Sequence, residues 1–161
     1  MQLGESFVGS GADAAHVNTV LGPRDGSVGT AWATALASPS AGHAPFVVVL
    51  QPGVPVRPFT LFVNKARIES EQHARLTWGA AQAGVAAGVA RAVQDDVVTD
   101  LDAVLIAAVW VDPAAGDDGT VFANNEAATF AALTMGGLGG PSEDDLRTAA
   151  DEVWNPFFRP R

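Results

Sequence analysis

The stretch Ala103-Val104-Leu105-Ile106-Ala107-Ala108-Val109-Trp110-Val111 is the longest apolar run in the chain. A bilayer-spanning helix needs about 20 apolar residues, so this run is too short to cross a membrane. Its Val and Ile content favours an extended conformation, and the Asp112-Pro113 pair that follows marks a turn. We therefore predict a buried strand from Leu101 to Val111 as the framework of the fold.

Four further segments predict strands around it. Phe59 to Ile68 alternates between apolar and polar residues, and the β-branched run Phe46 to Leu50 is typical of a central strand. Gln2 to Val8 predicts an edge strand, and Asp13 to Leu21 predicts the next one. Because Gly9-Ser10-Gly11 separates these two, they are expected to pair as a hairpin.

Helical periodicity appears in four segments. Ser27 to Ala37 predicts a helix with Ser27 as its N-cap. Ser70 to Gln94 is mostly helical, with a break near Trp78-Gly79, and its Ala/Gly-rich middle is typical of a helix that another backbone or a ligand approaches closely. Thr120 to Met135 and Asp144 to Trp154 predict two more helices.

This order of strands and helices predicts one α+β domain over residues 1–161. The expected architecture is a mixed, mostly antiparallel sheet with helices packed on one face. The aromatic, Pro-rich tail from Asn155 to Arg161 is expected to dock on a surface rather than extend the core.

Charge and composition exclude several classes of function. The formal net charge of -9 and the lack of a Lys/Arg cluster argue against nucleic acid and anionic membranes as partners. The absence of cysteine excludes disulfides and thiolate catalysis, and it fits a cytoplasmic protein. No signal peptide is visible. The three histidines show no metal-ligand spacing, so we expect no metal site.

One pair of polar residues stands out on the second strand. Side chains alternate along a strand, so His16 and Asn18 share a face. This pair could line a binding pocket, or His16 could be a hydrogen-bonded residue on a partly exposed strand face. Lys65 and Arg67 share a face in the same way, either as two solvated bases or as a clamp for an anion or a carbonyl oxygen.

Gln82 is the polar residue inside the long Ala/Gly-rich helix. Its amide could face a ligand, or a helix-helix contact could satisfy it. The sequence pattern alone leaves these two interpretations open.

Five short blocks occur in an order that is specific as a set. They are Gly4-Glu5-Ser6-Phe7-Val8-Gly9, Ala15-His16-Val17-Asn18, Gly22-Pro23-Arg24, Pro58-Phe59-Thr60-Leu61-Phe62-Val63-Asn64-Lys65 and Trp78-Gly79-Ala80-Ala81-Gln82-Ala83-Gly84-Val85-Ala86. Together they resemble the formaldehyde-activating enzyme family, from about Gly4 to Val109. The segment from about residue 141 onward is divergent from that family, and its aromatic residues Trp154 and Phe157-Phe158 are expected to pack on a neighbouring subunit.

The resemblance implies an activity, a fold and an assembly. The family condenses formaldehyde with tetrahydromethanopterin to give the methylene derivative and water, so tetrahydromethanopterin or a related reduced pterin is the expected co-substrate. The implied fold is that of the second domain of ribosomal protein S5. The implied assembly is a homopentamer with the pterin site between subunits.

The resemblance also assigns roles to single residues. His16 matches the family's proposed proton donor, which would protonate the hydroxyl of an N-hydroxymethyl adduct so that water leaves. A side chain whose pKa lies near neutral pH suits that task. Lys65 and Gln82 match pterin-binding residues, and Val47 falls where the family has a contacting leucine.

Two positions depart from the family pattern. Asn18 replaces an aspartate that would raise the pKa of His16 and help to keep it protonated, so His16 is expected to carry its proton less often at neutral pH, and Asn18 is expected to orient it. Arg67 replaces a threonine and could grip a carboxylate or phosphate, or narrow the pterin site. The sequence therefore predicts a formaldehyde-condensing lyase, with a non-catalytic paralogue that binds a pterin or another anionic small molecule as the alternative. A purely structural ring is a third possibility.

Overall fold

The computed structural model describes residues 1–155 and contains a mixed five-stranded sheet. The strands of this sheet are β1 (Gln2–Val8), β2 (Ala15–Gly22), β3 (Phe46–Val47), β6 (Phe59–Asn64) and β7 (Val104–Trp110). They lie in the order β1-β2-β7-β6-β3, and every neighbouring pair is antiparallel except the parallel pair β6 and β7. Strands β4 (Val49–Gln51) and β5 (Val54–Pro55) form a separate two-stranded ribbon.

The helices account for most of the remaining described chain. They are α1 (Ser27–Ala37), α2 (Glu71–Arg75), α3 (Gln82–Gln94), α4 (Asp118–Gly137) and α5 (Glu143–Asp151), with a π-helical turn over Leu76–Ala81 joining α2 to α3. The break expected near Trp78-Gly79 is this π-helical turn. Within residues 1–155, the helices include none that combines the length and apolarity needed to cross a bilayer.

The apolar run around β7 forms the centre of the sheet, as predicted. Leu105, Ala107 and Val109 are fully buried and face the main core. The alternate residues Ile106, Ala108 and Trp110 point to the opposite face and are only partly buried. The sheet therefore presents one face that is fully packed and one that is partly open.

Glycine contacts show which helix covers which face. A Cβ on Gly4 would strike the backbone of Ala132, so α4 packs directly on the face that carries Thr19, the β2 partner of Gly4. A Cβ on Gly22 would strike Val28 instead, so α1 lies on the opposite face. Helices α3 and α4 lie on the same face of the sheet, as predicted. Helix α1 lies on the opposite face, where its Val28 packs against Gly22.

The Ala/Gly-rich helix α3 packs closely against α4. A Cβ on Gly84 would overlap the carbonyl of Phe122, and one on Gly88 would lie 2.6 Å from the carbonyl oxygen of Glu126. The predicted close approach of another backbone to this helix is therefore made by α4.

Three expectations about local structure were wrong. Phe46 to Leu50 is not a central strand: β3 is a two-residue edge strand, and the chain leaves the sheet after Val47 so that Val49 can pair with Pro55. The N-cap of α1 is Gly26 rather than Ser27, and no side chain caps it. The strand from Phe59 ends at Asn64, before Ile68. Phe157-Phe158 lie outside the described residues.

Candidate active site

Strand pairing brings the polar residues of the sequence analysis together on the open sheet face. His16 lies opposite Trp110 of β7, and Asn18 lies opposite Ala108. On the other side of β7, Val63 also lies beside Ala108, and Lys65 follows two residues later on the same face. His16 and Asn18 of β2 therefore project from the same surface as Lys65, which follows the end of β6, whereas Arg67 lies beyond the strand.

Lys65 reaches across β7 to contact both residues of β2. Its Nζ donates a hydrogen bond to Asn18 Oδ1 at 2.7 Å and lies 3.3 Å from His16 Nδ1. Strands two positions apart in a sheet are separated by about 10 Å, so only a long side chain bridges them. The small side chain of Ala108 leaves room for this crossing.

The backbone around Lys65 is held in place from both sides. Its N–H donates to the carbonyl of Val109 at 2.7 Å, which extends the pairing with β7 beyond the end of β6. The buried Asn64 donates from Nδ2 to the carbonyls of Gly42 and Ala66, both at 2.8 Å. Lys65 thus projects from a fixed segment even though β6 has ended.

Glu5 is a site residue that the sequence analysis missed. Its Oε1 lies 2.9 Å from His16 Nε2, although its partner across the hairpin is Asn18. Glu5 lay within one of the resembling blocks, but only the register between β1 and β2 shows that it reaches His16. A carboxylate therefore contacts His16 in this chain, and it comes from β1 rather than from position 18.

The surroundings shift the pKa of both bases downward. Burial lowers the pKa of His16 below its ordinary 6.5 and the Lys65 charge lowers it further, while Glu5 opposes both. Burial also lowers the pKa of Lys65, and Glu5 again opposes this. His16 is thus expected to be mainly neutral at pH 7, and Lys65 loses its proton more readily than a solvated lysine.

The partners of His16 define where its protons lie. The Lys65 ammonium can only donate, so His16 Nδ1 accepts and the proton of the neutral ring is on Nε2, facing Glu5. If Lys65 passes a proton to Nδ1, the resulting imidazolium is stabilised by the Glu5 carboxylate. The pair can therefore store and release a proton at the Lys65 side of the ring.

These side chains line an open depression on the sheet face. His16, Asn18, Lys65 and Trp110 surround a volume of about 470 Å³. A second depression of about 550 Å³ runs along the outer edge of β1 and shares Asn18 with the first. Glu5 lines the second depression, so the His16–Glu5 contact lies between the two. The space suits a small molecule that carries an extended polar part.

The other predicted site residues lie apart from this cluster. Val47 pairs with Leu61, so the Val47 side chain is on the same sheet face as His16 but on the far side of β6. Arg67 is exposed and packs near Gly42. Gln82 begins α3 on the opposite side of the sheet, where its Oε1 accepts a hydrogen bond from the Val49 backbone at 2.7 Å.

The cluster can perform acid–base chemistry on a small polar substrate. It offers one amine, one imidazole and one carboxylate in a continuous chain of contacts. Within residues 1–155, no group of three or more His, Asp or Glu side chains is arranged to hold a metal ion. The described site therefore presents proton transfer and amine chemistry.

Comparison with known proteins gives a match over nearly the whole chain. The sequence pattern of the formaldehyde-activating enzyme (Fae) family matches residues 3–158. A 5,6,7,8-tetrahydromethanopterin hydro-lyase of Methanosarcina barkeri is 37% identical over 158 residues, which cover 96% of this chain and 89% of that protein.

Longer relatives contain a similar region as part of a larger protein. A bifunctional enzyme Fae/Hps of Methanosphaera stadtmanae is 35% identical over 160 residues, covering 98% of this chain and 39% of the relative. One of Archaeoglobus fulgidus is 33% identical over 159 residues, covering 97% and 40%. This chain thus spans well under half the length of these two relatives.

Proposed function

Because the chain belongs to the formaldehyde-activating enzyme family, we propose that it is a lyase that condenses formaldehyde with a reduced pterin of the tetrahydromethanopterin type. The products are the methylene pterin and water. The observation that carries the proposal is the contact of Lys65 with His16 and Asn18 at the edge of an open depression. The relative named as a tetrahydromethanopterin hydro-lyase supports this choice of substrate.

In the proposed mechanism, His16 acts as general acid. Formaldehyde and a pterin amine form an N-hydroxymethyl adduct, and loss of its hydroxyl as water requires a proton. The proton comes from His16 Nδ1, after transfer from the Lys65 ammonium 3.3 Å away. The Glu5 carboxylate stabilises the imidazolium while it exists, because it contacts the opposite ring nitrogen.

Asn18 acts on His16 through Lys65 in this scheme. Its Oδ1 accepts from Lys65 Nζ, so it fixes the amine that shares the proton. The low pKa of His16 has burial as its main cause and Lys65 as its second. A weak base of this kind is a strong proton donor once it is charged, and Lys65 charges it only transiently.

Pterin binding is proposed to use two copies of the chain. Lys65 and Val47 lie on the open sheet face, whereas Gln82 belongs to the helical layer on the other face. The Val49 N–H fixes Gln82 Oε1, which leaves the amide NH₂ to donate to a ligand. One pterin can touch both groups only if Gln82 comes from a neighbouring subunit, as in a homopentamer with a domain of the ribosomal protein S5 type.

Mixed assemblies test this shared site. His16→Ala and Gln82→Ala variants are each expected to be inactive as pure assemblies. When they are dissociated together and reassembled in equal amounts, about one quarter of head-to-tail sites receive both intact residues, and activity returns to a corresponding extent. If confirmed mixed rings recover no activity, Gln82 and His16 of the same copy belong to one site, and the shared-site proposal is wrong.

Stopped-flow measurement of formaldehyde consumption tests the activity itself. The rate is compared with and without protein, first with tetrahydromethanopterin and then with tetrahydrofolate. Acceleration with the first supports the proposed reaction, and the ratio between the two defines the pterin preference. Tight pterin binding without acceleration would instead favour the non-catalytic binding protein, for which the exposed Arg67 provides a cation toward an anionic ligand.

A further inference from the structure

Lys65 is the only lysine in the chain. The sequence holds nine Lys and Arg residues, and the other eight are arginines. Arginine does not lose its proton in proteins and does not form imines, whereas an uncharged lysine amine attacks aldehydes readily. The single side-chain amine of this protein thus lies in the depression where formaldehyde is proposed to react.

The surroundings of Lys65 suit a nucleophile. Its Nζ lies 3.3 Å from a proton acceptor, His16 Nδ1, and 2.7 Å from the neutral acceptor Asn18 Oδ1. The indole of Trp110 lines the same depression. The charged groups facing Lys65 are His16 on β2 and Glu5 on β1, and β7 contributes no charge next to it. Burial lowers the pKa of Lys65, which favours the reactive amine.

Asn18 is important for this reactivity because it has no charge. An aspartate there, as in the family pattern, would place a carboxylate against Nζ and hold the ammonium in its protonated form. Asn18 instead positions the amine by hydrogen bonding alone. The carboxylate that remains, Glu5, contacts His16 and stabilises the proton after it has left Lys65.

We propose that Lys65 captures formaldehyde covalently and holds it as a protonated Schiff base before the pterin reacts. Its substrate rests on the proposed function, but the order of steps differs: His16 protonates a carbinolamine on Lys65 instead of an N-hydroxymethyl pterin, and Lys65 takes a covalent role beyond pterin contact. First, Lys65 passes its proton to His16 Nδ1. The free amine then attacks the carbonyl carbon: a C–N bond forms, the C=O electron pair moves to oxygen, and one proton moves from nitrogen to oxygen.

Loss of water completes the capture. The His16 imidazolium protonates the hydroxyl of the resulting carbinolamine, the C–O bond breaks, and the nitrogen lone pair forms the C=N bond of Lys65–NH⁺=CH₂. A secondary amine of the pterin then attacks this carbon, its proton moves to the Lys65 nitrogen, and Lys65 leaves as the free amine while the pterin nitrogen forms an iminium with the CH₂ group. The second pterin amine closes the methylene bridge on that iminium, and the proton that it releases restores the Lys65 ammonium. One water is released per formaldehyde, and no oxidant or reductant is needed.

Reductive trapping without pterin tests the capture directly. The full-length protein is incubated with formaldehyde and cyanoborohydride at pH 7, and hydride converts the Schiff base into a methylamine that adds one CH₂ to the peptide ending at Arg67. The initial rate at Lys65 is expected to exceed that of free Nα-acetyl-lysine by at least about tenfold, because His16 assists proton transfer. An equal rate, or an equal rate in the urea-unfolded chain, would overturn the proposal.

Variants show whether Lys65 reacts quickly because of its neighbours or only because its amine is exposed. Asn18→Asp is expected to slow methylation of Lys65 at pH 7, and a higher pH should restore the rate. His16→Gln is expected to slow methylation at both pH values. Arg147→Gln is the control and is expected to leave the rate unchanged, because Arg147 lies on α5 and pairs with Glu143 and Asp144, away from the cluster. An Asn18→Asp protein that reacts as fast as the parent would contradict the role given to the missing charge.

The outcome also distinguishes this inference from the proposed function. Acceleration of the pterin reaction with slow methylation of Lys65 would reject covalent capture alone. Rapid methylation without any acceleration of the pterin reaction would reject the proposed function alone and leave a formaldehyde-binding protein.

Discussion

Replacement of Gly88 by alanine tests the close packing that places α3, and with it Gln82, against the rest of the domain. The new Cβ would lie 2.6 Å from the carbonyl oxygen of Glu126 and 2.7 Å from Cβ of Thr129. Neither atom belongs to a flexible side-chain end, so the two helices must move apart. Overpacking of this kind costs about 1–3 kcal/mol, and alanine regains up to about 1 kcal/mol in helix propensity.

We therefore expect Gly88→Ala to lower the free energy of unfolding by about 1–2 kcal/mol. For a domain of this size that corresponds to a fall in Tm of about 2–4 °C per kcal/mol. Urea unfolding followed by circular dichroism provides the free energy, at one fixed protein concentration because assembly contributes to apparent stability.

Gly79→Ala is the matched control in the same helical run. A Cβ at Gly79 has no neighbour within 4 Å, and its backbone φ is not in the left-handed region. This variant is expected to be as stable as the parent or more stable by up to about 1 kcal/mol. A Gly88→Ala protein as stable as Gly79→Ala would refute the packing argument.

Three further predictions concern the charged residues of the site. Glu5→Gln removes the carboxylate that raises the pKa of His16. This pKa should therefore fall further, and the imidazole titration followed by NMR should move to lower pH. An unchanged titration would show that Glu5 does not interact with His16. The folded-state pKa of His16 lies below its unfolded value, so the folded state resists protonation and loses stability as pH falls below about 6.5 toward the folded pKa. His16→Gln should flatten the pH dependence of unfolding free energy in that window, and an identical slope would contradict the shift. Arg67→Thr removes an exposed cation, so the KM for an anionic pterin should rise by up to about fivefold while kcat stays unchanged. The KM of the variant should also depend less on salt concentration. An unaltered KM would show that Arg67 does not contact the ligand.

Strand alternation predicted the central part of the site. The two-residue period correctly placed His16 and Asn18 on one face, and the apolar run at Ala103 to Val111 predicted the buried strand beside them. The pairing of Lys65 with Arg67 was not met, because β6 ends at Asn64. Alternation depends only on backbone geometry, so it needs no knowledge of the tertiary fold. It does not show that Lys65 crosses β7, because that requires the strand order.

The features that the sequence did not predict depend on register or on distant packing. Glu5 reaches His16 because of the offset between β1 and β2, and many offsets satisfy the same apolar pattern. Phe46 to Leu50 has the composition of a central strand, but its β3 part pairs with the outer side of β6 and lies at the edge, since β7 already occupies the other side of β6. Intrinsic β-propensity does not distinguish these positions.

The central claim is that this chain accelerates formaldehyde condensation with a reduced pterin by means of His16. The most direct measurement is the initial rate with saturating tetrahydromethanopterin for the parent, His16→Ala and the control Arg147→Ala on α5, each corrected for the spontaneous reaction. We expect the parent and Arg147→Ala to accelerate the reaction equally, and His16→Ala to lose about 10²-fold or more of the acceleration, as general acids contribute about 10²–10⁴-fold. Undiminished acceleration by His16→Ala would contradict the claim.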